Sequence, residues 1–211
     1  MGHRLENHWL TTREQHRLAT GAQLTKLPHN CRSAQLIVTV AVLIGFCAVA
    51  IAAAGKQPDP FASSARARVF LFVRTDCPIT NRYAPELQRL SKEFAAQKVD
   101  FWMVYPDTSQ TPAAIQEHMK EYGFPGTPLR DPEHELVKRA HATVAPEAAV
   151  FDGAGNLKYH GRIDDRYVEI GTARRIAQTH DLENAISAVL AGKPVAQAET
   201  RAVGCALADI E

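Results

Sequence analysis

The sequence predicts an α/β domain, a sheet with helices on both faces, preceded by one transmembrane helix. Three observations carry this reading. The elements after residue 68 run β-α-β-α-(α)-β-β-α, with parallel strands first and a hairpin last. Leu36–Ala54 (LIVTVAVLIGFCAVAIAAA) is uncharged over 19 residues, enough to cross a bilayer core of about 30 Å. The stretch VFLFVRTDCPITNRYAPEL, residues 69–87, joins an apolar strand to an amphipathic helix through a cysteine.

In chain order, residues 1–35 are polar, with Arg4, Arg13, Arg17, Lys26 and Arg32 set against Glu6 and Glu14, and predict a flexible cytoplasmic tail. Residues 36–54 are the predicted anchor. Small residues at Ala48-Val49-Ala50 and Ala52-Ala53-Ala54 also suit a signal peptidase, but the apolar run exceeds an ordinary signal core, so an uncleaved anchor is preferred. Residues 55–68, with Pro58 and Pro60, read as a linker.

The predicted domain is 69–192. Val69 to Val73 form a buried strand, and Pro78 suits the first turn of a helix because its missing N–H has no intrahelical partner there. That helix is expected from about Asn81 to Ala96, with Tyr83, Leu87, Leu90 and Phe94 on one stripe. Val99–Tyr105 is a central strand. Thr111 and Pro112 start a helix that Gly123 ends. Phe124–Pro132 reads as a loop and Glu133–Ala142 as a short helix. Ala148–Phe151 and Leu157–Gly161 flank the turn Asp152-Gly153-Ala154-Gly155-Asn156. A polar stretch follows to Thr179, then the helix Asp181–Leu190. The tail 193–211 shows no strong pattern and carries Cys205.

Net charge is +1, so no basic stripe for nucleic acid is present. Of the four cysteines, Cys31 lies in the first tail and Cys47 in the apolar run, leaving Cys77 and Cys205 beyond it. In an oxidising compartment those two could pair, or stay unrelated thiols. Cys77 sits where a strand meets a helix, a setting of unpaired N–H groups that favours thiolate, with Arg74 and Arg82 near in sequence and Asp76 opposing. The nine histidines show no metal-ligand spacing and read as solvated surface groups; no metal and no cofactor is expected. Glu86 and Glu147 read first as solvent-facing charges, and Arg162-Ile163-Asp164-Asp165-Arg166 as a surface ion-pair group.

The strand–Cys77-Pro78-Ile79-Thr80–helix unit and the later Val144-Ala145-Pro146 resemble the thioredoxin fold. More narrowly, CPITNRYAPEL and VAPEAAVFDGAGNLKYHGRIDD resemble the redoxin, peroxiredoxin-like (AhpC/TSA-type) branch found in bacterial envelope proteins. The resemblance implies a central mixed sheet flanked by helices and a cis-proline at Pro146 against the Cys77 sulfur. It departs from the family at two positions. Thr80 stands where a dithiol protein has its second Cys, and the Thr–Cys order of a peroxidatic site is reversed.

The expected function is an extracytoplasmic thiol–disulfide oxidoreductase on a single-pass inner-membrane anchor, its domain in the periplasm. Cys77 attacks a partner's sulfur, Pro146 presents the partner backbone and Cys205 resolves in place of Thr80. A tail of about 13 residues reaches roughly 40 Å, enough to return; Cys205 could instead be partner-linked, lipid-modified or idle. Expected partners are protein thiols and disulfides, or peroxide, with no nucleic acid. The alternatives are a peroxide reductase passing through a Cys77 sulfenic acid and a non-catalytic binding module in the envelope.

Overall fold

The computed structural model describes residues 57–207. The predicted anchor Leu36–Ala54, Cys31 and Cys47 lie outside them. Among the described residues no helix is long and apolar enough to cross a membrane.

A five-stranded sheet in the order β3-β2-β1-β5-β6 forms the centre. Strands β1 (Ala67–Phe72), β2 (Val99–Tyr105) and β3 (Thr127–Arg130) run parallel; β5 (Glu147–Asp152) and β6 (Leu157–Gly161) return antiparallel. Every residue of β1 is buried, as suits a strand with neighbours on both edges and helices on both faces. Its alternation divides the core. Val69 and Leu71 face α2 (Ala84–Phe94), α3 (Pro112–Tyr122) and α5 (Asp181–Leu190), through Leu87, Leu90, Ile115, Leu182 and Ile186. Phe70 and Phe72 face α4 (Glu135–Ala140) through Val137 and Ala140.

The expected helix from Asn81 to Ala96 is two helices. α1 (Pro78–Arg82) ends at Tyr83, and α2 starts with Pro85 in its first turn. Pro85 has no N–H to give to the carbonyl of Asn81, so the first helix cannot continue. By contrast α3 has the predicted ends: Thr111 accepts from the Ala114 N–H at 3.2 Å, and Gly123 adopts φ +62°.

Residues read as a loop, Phe124–Pro132, hold β3. It is an edge strand, where Pro128 is tolerated. The polar stretch after β6 holds a small hairpin, β7 (Tyr167–Glu169) with β8 (Thr172–Ala173). The unpatterned tail holds β9 (Cys205–Ala206), paired antiparallel with β4 (Val144–Ala145). Within β1, Arg68 is 2% exposed and its guanidinium donates to the carbonyls of Pro60, Phe61, Ser63, Asp152 and Gly153, tying the preceding segment to the β5–β6 turn.

Several residues read as surface groups are buried. His118 is 4% and His134 7% exposed. Each has internal partners that replace water: Tyr105 Oη and Asn81 Oδ1 for His118, the Pro106 carbonyl for His134. Asp164 and Asp165, read as a surface cluster, are 2% and 8% exposed. Tyr83 Oη donates to Asp164 Oδ1 at 2.5 Å. Asp165 Oδ1 accepts from the N–H groups of Gln178 and Thr179 at 2.6 and 3.0 Å, so these carboxylates stitch the hairpin segment to the core.

Candidate active site

The site is built where β1, β4 and β9 meet. Cys77 is the N-cap of α1, in extended conformation, so its side chain turns toward the N–H groups of the first helical turn. The thiol is wholly buried and donates to the Ala145 carbonyl at 3.1 Å. The Ala145–Pro146 peptide bond is cis.

Cys205 arrives from the other end of the domain. Its partner across the β4–β9 ladder is Ala145, and its thiol donates to Cys77 Sγ over 2.8 Å. Both cysteines are free thiols. Cys205 is half-buried. Thus four sequence-singled residues, Cys77, Thr80, Pro146 and Cys205, lie in one small volume. Thr80 is fully buried, its hydroxyl has no hydrogen-bond partner among the described residues, and it favours charge on Cys77.

The two thiols are electrostatically unequal. Burial opposes charge on Cys77, but hydrogen bonds from the Cys205 thiol, the Thr80 N–H and hydroxyl and the Cys205 N–H outweigh it, and Cys77 lies below the ordinary thiol range. Cys205 is pushed up to about 11, first by burial and then by its hydrogen bond to Cys77 and the charge there. Cys77 is therefore the more acidic of the two thiols, and Cys205 the one that keeps its proton to higher pH.

Arg74 does not serve Cys77 in the way its sequence position suggests. Its guanidinium forms a two-pronged pair with Asp76 at 3.0 Å, meets Asp107 at 3.5 Å and donates to the Ala206 carbonyl at 3.4 Å. It anchors β9 instead.

Glu147, read as solvent-facing, is 3% exposed. Its Oε2 accepts from the N–H groups of Thr143 and Val144 at 2.8 and 3.2 Å, and Oε1 stands 3.5 Å from His160 Nδ1. The carboxylate therefore braces the turn that carries Ala145 and Pro146. Beside that turn lies a cleft of about 960 Å³, lined by Glu147, His160 and Gly204 among others; neither sulfur lines it. Glu86, His180 and Glu183 bring three ligand-type atoms within 4.8 Å of one another. Arg89 donates to both carboxylates there, so their oxygens are already engaged by a cation.

Sequence reasoning did not find Gly204, although it settles the geometry. A Cβ on Gly204 would stand 2.1 Å from the Ala145 carbonyl oxygen, so only glycine lets β9 lie this close. The sole sequence signal is a glycine immediately before a cysteine.

Comparison with known proteins agrees with this architecture. Residues 59–160 match the model of the AhpC/TSA family. No curated protein matches the chain. Among solved structures, a hypothetical protein from Sinorhizobium meliloti is similar at 24% identity and TM-score 0.60, over 68% of this chain and 79% of that one. An uncharacterized conserved protein from Geobacillus kaustophilus is similar at 25% identity and TM-score 0.57, over 68% and 77%. A secreted disulfide oxidoreductase from Mycobacterium tuberculosis is a remoter likeness, at 18% identity and TM-score 0.41 over 62% and 85%. The chain carries a thioredoxin-like α/β fold with a mixed central sheet, and its sequence likeness is to the AhpC/TSA redoxins.

Proposed function

We propose that the chain is a thiol–disulfide oxidoreductase whose redox centre is the Cys77–Cys205 pair. The observation that carries the reading is the 2.8 Å approach of the two sulfurs, with Cys77 the more acidic thiol. A dithiol this close gives up two electrons and two protons to a partner disulfide, RSSR, yielding two RSH and a Cys77–Cys205 bond; excess thiol reverses the change. The Cys205 thiol first, and the Thr80 N–H and hydroxyl after it, favour charge on Cys77. Glu147 holds the Ala145–Pro146 turn against the sulfur. The partner class is protein thiols and disulfides.

The same reading puts the domain outside the cytoplasm, on a membrane anchor at residues 36–54. Its support is the Arg- and Lys-bearing segment before that apolar run and the persistence of disulfides in oxidising compartments.

The test is equilibration of the full-length chain in glutathione buffers of graded potential, then alkylation and intact-mass analysis. Wild type is expected to lose two hydrogens reversibly, and Cys77→Ser and Cys205→Ser to lose none. A wild type that stays a dithiol in every buffer overturns the reading and leaves a binding module.

A further inference from the structure

The two sulfurs differ in access as well as charge. Cys77 has no exposed surface, whereas Cys205 is part exposed. The tail lies against Cys77 through Cys205, and it is fastened on both sides of Gly204. Upstream, the Thr200 N–H donates to the His160 carbonyl at 3.1 Å, and Thr200 Oγ1 meets Tyr159 Oη at 2.7 Å and accepts from the Arg162 N–H at 3.1 Å. Downstream, Arg74 holds the Ala206 carbonyl, the Leu207 N–H donates to the Thr143 carbonyl at 3.1 Å, and the Leu207 side chain enters the core beside α4. With β9 seated, the edge before Pro146 is already paired and a partner meets Cys205 first.

We infer that Cys205, rather than Cys77, is the sulfur that exchanges with outside thiols and disulfides, and that Cys77 is its buried internal partner. This rests on the oxidoreductase reading and reverses the order expected from the sequence. In the oxidising direction Cys205 attacks RSSR. The Cys205–SR bond forms, RS⁻ leaves, and the Cys205 proton passes to Cys77, to which it is already hydrogen-bonded. Cys77 gives that proton to the departing thiolate. Its sulfur then attacks Cys205 Sγ, forming the Cys77–Cys205 bond and expelling the second RS⁻. With Cys77 ionised at the outset, the pair is oxidised and RSSR is reduced to RSH and RS⁻, and the second thiolate takes its proton from solvent. In the reducing direction an outside thiolate attacks Cys205 Sγ and Cys77 leaves as thiolate. A second thiolate then attacks the outside sulfur, the Cys205–SR bond breaks, RSSR departs, and Cys205 leaves as a thiolate that takes a proton from solvent.

Trypsin separates the two sites, leaving Cys77 on Thr75–Arg82 and Cys205 on Ala202–Glu211. Reduced full-length chain is pulsed with a maleimide, quenched and digested, and the oxidised chain is pulsed with glutathione, acid-quenched, alkylated and digested. Maleimide is expected on the Cys205 peptide at least ten times faster than on the Cys77 peptide, and any glutathione adduct on the Cys205 peptide. Equal or faster labelling of Cys77, or glutathione on Thr75–Arg82, overturns the inference while the reversible two-hydrogen loss still stands. Absence of that two-hydrogen loss overturns the oxidoreductase reading itself.

Discussion

Gly204 rests against the carbonyl of Ala145, and the same carbonyl oxygen accepts the hydrogen bond of Cys77. Backbone packing at Gly204 and the placement of both sulfurs are therefore one arrangement. Gly204→Ala puts a methyl 2.1 Å from that oxygen and must lift β9. The expected result is at least a tenfold fall in the equilibrium constant for closing the Cys77–Cys205 bond against glutathione, because the effective concentration of one thiol at the other drops. Maleimide labelling of Cys77 should speed up in the same variant. Unchanged values for both would show that the tail tolerates the methyl.

Thr80→Val removes a buried hydroxyl that is free to bond the Cys77 thiolate and has no other hydrogen-bond partner among the described residues. A hydrogen bond to a charged group contributes about 1.5–3 kcal/mol. Its loss should raise the Cys77 pKa by about 1–2 units at 1.36 kcal/mol per unit. Thiolate absorbance followed through a pH titration of the reduced chain measures this. Thr80→Ser keeps the hydroxyl and should titrate near wild type.

The midpoint potential of the pair should fall with pH in three stages. Below the Cys77 pKa, reduction takes up two electrons and two protons, giving a slope of about −59 mV per pH unit. Cys77 lies below the ordinary thiol range, so this stage ends early and one proton remains coupled, with a slope of about −30 mV. Cys205 loses its proton near pH 11, above which the potential flattens. The sign follows from the reduced state: ionisation stabilises the dithiol form relative to a disulfide that does not titrate. A single break near the ordinary thiol pKa would contradict the unequal pair.

Glu147→Leu leaves the Thr143 and Val144 N–H groups without their acceptor. Buried unsatisfied donors cost about 1–3 kcal/mol each, and a total of about 3 kcal/mol lowers Tm by about 6–12 °C in a domain of this size. Glu147→Gln keeps an acceptor oxygen and should lose less than half as much. Thermal unfolding of the three chains decides it, and a Leu variant as stable as wild type would remove the bracing role.

Local chemistry was readable where residues act on their neighbours. Thr111 and Gly123 mark the ends of α3 because caps act within one turn, and the apolar run of β1 announces a strand buried on both faces. Pro85 was equally local, and its effect on the helix after Cys77 was legible in principle. The burial of Glu147, His118 and Asp164 was not. A titratable residue in a linear chain looks the same whether water or a folded backbone satisfies it, and their partners come from other segments.

The α/β order, the cysteine at the strand-to-helix junction and the proline before the hairpin are legible in the chain, because each depends on spacing within one segment. The path of the tail, by contrast, is set by long-range packing. Cys205 lies 128 residues beyond Cys77, and its place depends on a two-residue ladder, a glycine fitted against a carbonyl and an arginine holding Ala206. None of these leaves a periodic trace in the chain. They arise because β4 presents an open backbone edge, and the tail satisfies it.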